Sequence, residues 1–105
     1  MSDNLPISEQ YRLAAETWVQ ADAAANFLEE SKSAVLAKMM AKLGDIPVSR
    51  AEMQTKASDE WTDYITNMVT ARERAALLKV EVEFLRMRFS EWQSANANRR
   101  AEMRL

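Results

Sequence analysis

The chain has no cysteine and no histidine, one glycine and two prolines in 105 residues. Without cysteine there are no disulfides, thiolate zinc sites or cysteine nucleophiles; without histidine the commonest general base and the usual metal ligand are missing too. These absences weigh against most enzyme classes, and the sequence reads as non-enzymatic, with no cofactor and no metal. With so little glycine and proline and no long β-branched run, the punctuation that separates strands is lacking, which excludes sandwiches, barrels and phosphate-cradling α/β folds. Neither charge predominates, because 14 Lys and Arg stand against 16 Asp and Glu for a net charge of −2. Any pull toward nucleic acid or an anionic membrane must therefore be local. The opening Met-Ser-Asp-Asn-Leu-Pro lacks the basic start and apolar core of a signal peptide, and no stretch approaches the roughly 20 apolar residues of a membrane span. The expected setting is a reducing cytoplasm, with no membrane partner.

What is present is helical. Hydrophobic residues make up 48% of the chain and charged residues 29%, enough apolar material for one small folded domain. From Ser8 to Leu43 the apolar and small residues step by three or four through Tyr11, Ala14, Trp18, Ala21, Ala25, Leu28, Val35 and Met39, predicting one helix over 8–43 with Ser8 as N-cap. The only glycine, Gly44, stands where this pattern stops, as suits a residue closing a helix in the left-handed conformation. A turn over 44–48 follows. Ser49 and Glu52 then have the spacing of a capping box, and Val48 and Met53 that of a hydrophobic staple.

From Ser49 onward there is neither Gly nor Pro, and the apolar positions keep a seven-residue repeat. Trp61, Met68, Ala75, Val82, Phe89, Asn96 and Met103 form one series; Tyr64, Ala71, Leu78, Leu85, Trp92 and Arg99 form the other. This coiled-coil-like pattern predicts a second helix over 49–105. Ser58-Asp-Glu60 has the chemistry of a helix start, but a continuous helix is the expectation. The whole is an all-α, long antiparallel hairpin in a single domain, 1–105. With the turn centred near Ile46, Leu28 meets Tyr64, Ala21 meets Ala71, Trp18 meets Ala75, Tyr11 meets Val82 and Met39 meets Met53.

The two arms of this hairpin are unequal. The first helix is exhausted after 36 residues while the second has 57, which leaves roughly 20 residues, about 30 Å, without a partner. That overhang carries Leu85, Phe89, Trp92, Asn96 and Met103 on the same stripe, and a buried Phe or Trp contributes roughly 1.5–3 kcal/mol or more. The expected occupant is a second copy, giving a dimeric helical bundle in which Asn96 fixes the register; a different protein partner is the other use of such a stripe. Met40 and Met87 lie off the stripes and are read as widening an interface.

Charge is uneven along the chain. Residues 1–48 and 49–84 sum to −3 and −2, and residues 85–105 to +3. The basic arm holds Arg86, Arg88, Arg99, Arg100 and Arg104, and arginine suits phosphate and carboxylate forks. Interleaved with Phe89 and Trp92, these residues could clamp a nucleic-acid backbone while an aromatic stacks on a base; packing of the aromatics and dipole pairing of the arginines is the simpler reading. The carboxylates Glu29-Glu30, Asp59-Glu60 with Asp63, and Glu81 with Glu83 are read as solvated faces, since a di-iron bundle needs Glu-x-x-His.

Several phrases have a further likeness: Tyr11-Arg-Leu-Ala-Ala with Trp18, Glu29-Glu-Ser-Lys-Ser-Ala34, Leu77-Leu-Lys-Val80, Arg86-Met-Arg-Phe-Ser-Glu-Trp92 and the ending Arg100-Ala-Glu-Met-Arg-Leu105. Together they resemble small helical proteins encoded by tailed bacteriophages of proteobacteria. The likeness spans most of the chain and supplies no catalytic residue. It implies a protein working in the cytoplasm of an infected bacterium beside phage recombination or replication genes, hence an accessory in a DNA transaction or an antagonist of a host defence or regulatory protein.

Overall fold

A computed structural model describes residues 4–104; Met1–Asp3 and Leu105, where the second helix was expected to end, lie outside them. Among the described residues there are four helices and no strand: α1 (Ile7–Glu30), α2 (Lys32–Ala41), α3 (Val48–Lys56) and α4 (Asp59–Arg104). They form the expected hairpin. A stem of α1 against α4 is continued by a tip of α2 against α3. The molecule measures 83 × 24 × 16 Å, and its length follows from α4, about 69 Å at 1.5 Å per residue, with the tip added.

The turn works through Gly44, whose φ of +85° lies in the left-handed region that glycine enters without steric cost. Its N–H donates to the Ala41 carbonyl at 3.3 Å, closing the last turn of α2. Neither predicted serine cap forms. Helix α1 begins at Ile7 and α3 at Val48, each preceded by a proline (Pro6, Pro47) and without a side-chain cap. In both places the fixed proline φ presets the first turn, and the proline carbonyl accepts from the first turn, from Glu9 and Gln10 in α1 and from Ala51 in α3. Glu52 pairs with Lys56 at 2.7 Å rather than reaching back to Ser49. Val48 and Met53 are both exposed, at 72 and 68%, so the staple does not bury them.

The two long helices foreseen are each interrupted. The break at Ser31 is mild, with the Ser31 N–H still donating to Phe27 and the Ser31 carbonyl still accepting from Val35. The break at Ala57–Ser58 is chemical. The Ser58 hydroxyl donates to the Thr55 carbonyl at 2.6 Å and accepts the Trp61 N–H at 3.2 Å, ending α3 and starting α4 with one side chain. Asp59 and Glu60 follow in the first turn, where negative charge meets the positive helix end. The start signal in Ser58-Asp-Glu60 thus prevailed over the uninterrupted heptad.

The core is a single seam. Ala25, Ala51, Trp61, Ala75, Val82 and Leu85 are its buried apolar residues. On α4 these fall on the two predicted heptad series, and Tyr64, Met68, Ala71, Leu78 and Phe89 are half-buried beside them. Small residues dominate the middle of α1, so the helix backbones can approach closely and the bulk is supplied from α4.

Candidate interaction surface

The end of the seam decides what is left uncovered. Leu85 is 5% exposed and lines the α1–α4 groove with Gln10, Leu13 and Ala14. It therefore belongs to the hairpin's own core, which corrects its assignment to a free overhang. The physical reason is register: Leu85 sits beside Gln10, Leu13 and Ala14, where a turn centred on Ile46 would have put Ile7, so α1 is offset by several residues along α4 and covers more of it. Phe89 is half-buried at the mouth of the hairpin, in a shallow groove with Ser8, Tyr11 and Arg86. Ser90 lines the same groove.

The arm from 91 to 104 remains, shorter than the sequence suggested but carrying the same residues. Trp92 is 54% exposed and stacks on Phe89 with ring centroids 5.9 Å apart and planes inclined by 21°. This offset arrangement, produced by their three-residue spacing on one helix, presents a continuous aromatic surface. Asn96 is half-buried and Met103 is exposed on the same side.

The arginines divide into two kinds. Arg72 is fully engaged across the stem: its guanidinium donates to Glu29 through Nε (2.9 Å) and Nη2 (2.8 Å), to Asp22 through Nη1 (2.7 Å) and to Asn26 through Nη2 (2.6 Å). Those hydrogen bonds hold the Glu29 carboxyl below the usual carboxylate range. Arg12 is likewise held by Glu9 and Glu16 on its own helix, and the Arg12 hydrogen bond lowers Glu9. By contrast Arg86, Arg88, Arg99, Arg100 and Arg104 form no ion pair among the described residues. Arg88 lies over the Phe84 ring, 5.9 Å from its centroid.

Two features escaped the sequence reading. The Arg72 clamp was hidden because Glu29 was taken for a solvated face, yet the signal was present: Asp22, Glu29 and Arg72 each follow a seam residue by one position, Ala21, Leu28 and Ala71. The second is an apolar stripe on the back of α4. Leu77, Val80, Phe84 and Met87 are 66, 62, 49 and 60% exposed at spacings of three, four and three. Met87 had stood alone, outside the seam series; its companions share its face. The carboxylates once weighed as metal ligands are dispersed, and no group of three such side chains gathers among the described residues. Nor is any described helix long and apolar enough to cross a membrane.

No family model, curated protein or solved structure matches the chain.

Proposed function

We propose that this protein works by binding rather than by catalysis, as a self-associating helical module whose hairpin is the scaffold and whose C-terminal arm is a contact surface. One observation carries the reading. The heptad stripe of α4 runs on past the buried Leu85, and there its members Trp92, stacked on the half-buried Phe89, and Met103 are 54 and 79% exposed while keeping the core pattern. Exposed aromatic area of this kind is costly to leave in water and typical of an anchor. The resemblance noted in the sequence adds a setting, that of a phage accessory protein in the host cytoplasm. Antagonism of a host defence or regulatory protein is one form that binding through the arm would take.

Molar mass by light scattering over a concentration series tests self-association. The expected result is a mass rising to a multiple of 12.0 kDa; a monomer at every concentration overturns it.

A second reading, a nucleic-acid-binding accessory factor for phage recombination or replication, is favoured by the five arginines of the basic segment, none in an ion pair among the described residues. It predicts DNA binding that weakens steeply with salt and weakens further when Arg99 and Arg100 are both changed to Ala. Absent or salt-insensitive binding at low ionic strength removes this reading and leaves the arm to a protein partner.

A further inference from the structure

The C-terminal part of α4 is unevenly charged around its axis as well as along it. At about 100° per residue, Phe89, Trp92, Asn96 and Met103 define one line along the helix. All five arginines of this segment lie within about 90° of that line, Arg88 and Arg99 on one side and Arg86, Arg100 and Arg104 on the other. Its two carboxylates, Glu91 and Glu102, lie more than about 100° from the line, on the back. The segment thus turns outward an aromatic and apolar row flanked on both sides by guanidinium groups, with its own acids behind. Basic residues placed only to complement the helix dipole would have no need of this segregation, because the dipole acts along the axis and not around it.

We propose that this face binds single-stranded nucleic acid, with bases against the Phe89–Trp92 stack and phosphates taken by the arginines on its flanks. This deepens the second reading above and rests on it. The charge pattern asks for a polyanion, since the arginines span about 27 Å from Arg86 to Arg104 with no carboxylate on their side of the helix. The centre of the face then decides which polyanion. Duplex DNA meets a protein with phosphates and groove edges, and a row of Phe, Trp and Met would be set against charged groups there. A single strand offers the flat faces of unpaired bases, which stack on aromatic side chains while a basic surface follows the backbone. Phe89 and Trp92 already stand 5.9 Å apart in an offset stack, and the exposed surface of Trp92 is where a base extends it. Tyr11 and the hydroxyls of Ser8 and Ser90 share the groove of Arg86 and Phe89, which places further polar groups at the inner end of the same face.

Fluorescence anisotropy tests this with a labelled DNA single strand of about 15 nucleotides, near the upper end of single-strand site sizes, and with the duplex of the same sequence. The single strand is expected to bind at least about tenfold tighter than the duplex, and Trp92→Leu to lose about tenfold on the single strand alone. Trp92→Tyr, which keeps a stacking ring, is expected to retain most of the affinity. Arg99→Gln and Arg100→Gln should each reduce the slope of log affinity against log salt by about 0.7, the value for one single-strand phosphate. Arg50→Gln, in α3 at the tip of the hairpin, should leave affinity and slope unchanged. A duplex bound as tightly as the single strand, or a Trp92→Leu protein that keeps its helical circular dichroism and binds like the parent, overturns the stacking face while nucleic-acid binding stands. Should Trp92→Leu fail to fold, the arginine variants decide, and slopes no different from that of Arg50→Gln overturn the face. Neither probe bound at about 50 mM salt overturns this inference and the nucleic-acid reading together.

Discussion

The phenolic hydroxyl of Tyr64 donates to the main-chain carbonyl of Leu28, 36 residues earlier in the chain. It is a contact between the two long helices at the level where both are interrupted, by Ser31 on one side and Ala57–Ser58 on the other. A coiled-coil seam of small and aliphatic residues slides more easily than one with a directional bond, and this bond ties one position of α4 to one position of α1.

Tyr64→Phe keeps the ring and its stacking on Trp61, whose centroid is 5.7 Å away, and removes only the hydroxyl. The expected cost is about 1 kcal/mol, the usual net value of one such bond, read as a lower midpoint in urea with an unchanged slope. An unchanged midpoint would mean that the seam alone sets the register.

Ser58→Ala deletes both the bond that ends α3 and the cap that starts α4. A loss of about 1 kcal/mol is expected, and exchange of the Trp61 amide with solvent should quicken before that of the stem does. If global stability falls but Trp61 keeps its protection, the hydroxyl is not the cap.

Thr55 is 3% exposed and its hydroxyl oxygen has no hydrogen-bond partner. Burying an unsatisfied polar group costs free energy that an isosteric methyl avoids. Thr55→Val should accordingly raise the melting temperature, with a gain of about 1 kcal/mol. A drop would show that the hydroxyl is satisfied in solution.

The Arg72 clamp sets a pH dependence. Glu29 has its carboxyl pulled below the ordinary value of 4.5 by the Arg72 hydrogen bonds. A depressed carboxylate contributes stability above its unfolded value and loses it as pH falls through the folded one. Glu29→Gln should thus destabilise at pH 7, while the difference between mutant and parent shrinks below about pH 4.5 and vanishes in stronger acid. Because the groups are solvent-exposed the effect at neutral pH is small, as for most surface pairs. Thermal melts of both proteins at several pH values measure it; a gap that stays constant with pH excludes ionisation as its source.

Much of this fold was legible in the residues. Gly44 marked the turn, and the heptads ending at Phe89 named the buried face of α4, because burial on one helix face leaves a periodic trace. The failures have a common physical origin. Ser49–Glu52 and Val48–Met53 satisfied local rules for a helix start, but Pro47 fixed the backbone one residue earlier and made those side chains redundant. Ser58 was outweighed by a repeat that a break of this kind does not disturb. The arm's aromatic residues were found, yet its origin was placed too early, since α1 and α4 meet several residues out of the pairing that a turn centred on Ile46 implies. The back stripe was missed because a second apolar face on one helix shares the same spacing as the first and only the fold tells them apart.

A core one side chain thick has a consequence for how this protein can change over generations. In a bulky globule a substitution in the deep interior is absorbed by several layers of neighbours, and the surface is free to drift. Here nearly every residue of the stem is either on the seam or visible from outside, and α4 has an outward apolar row as well. Almost any mutation therefore edits something a partner could read, so such a rod should acquire and lose binding partners quickly while its helices persist.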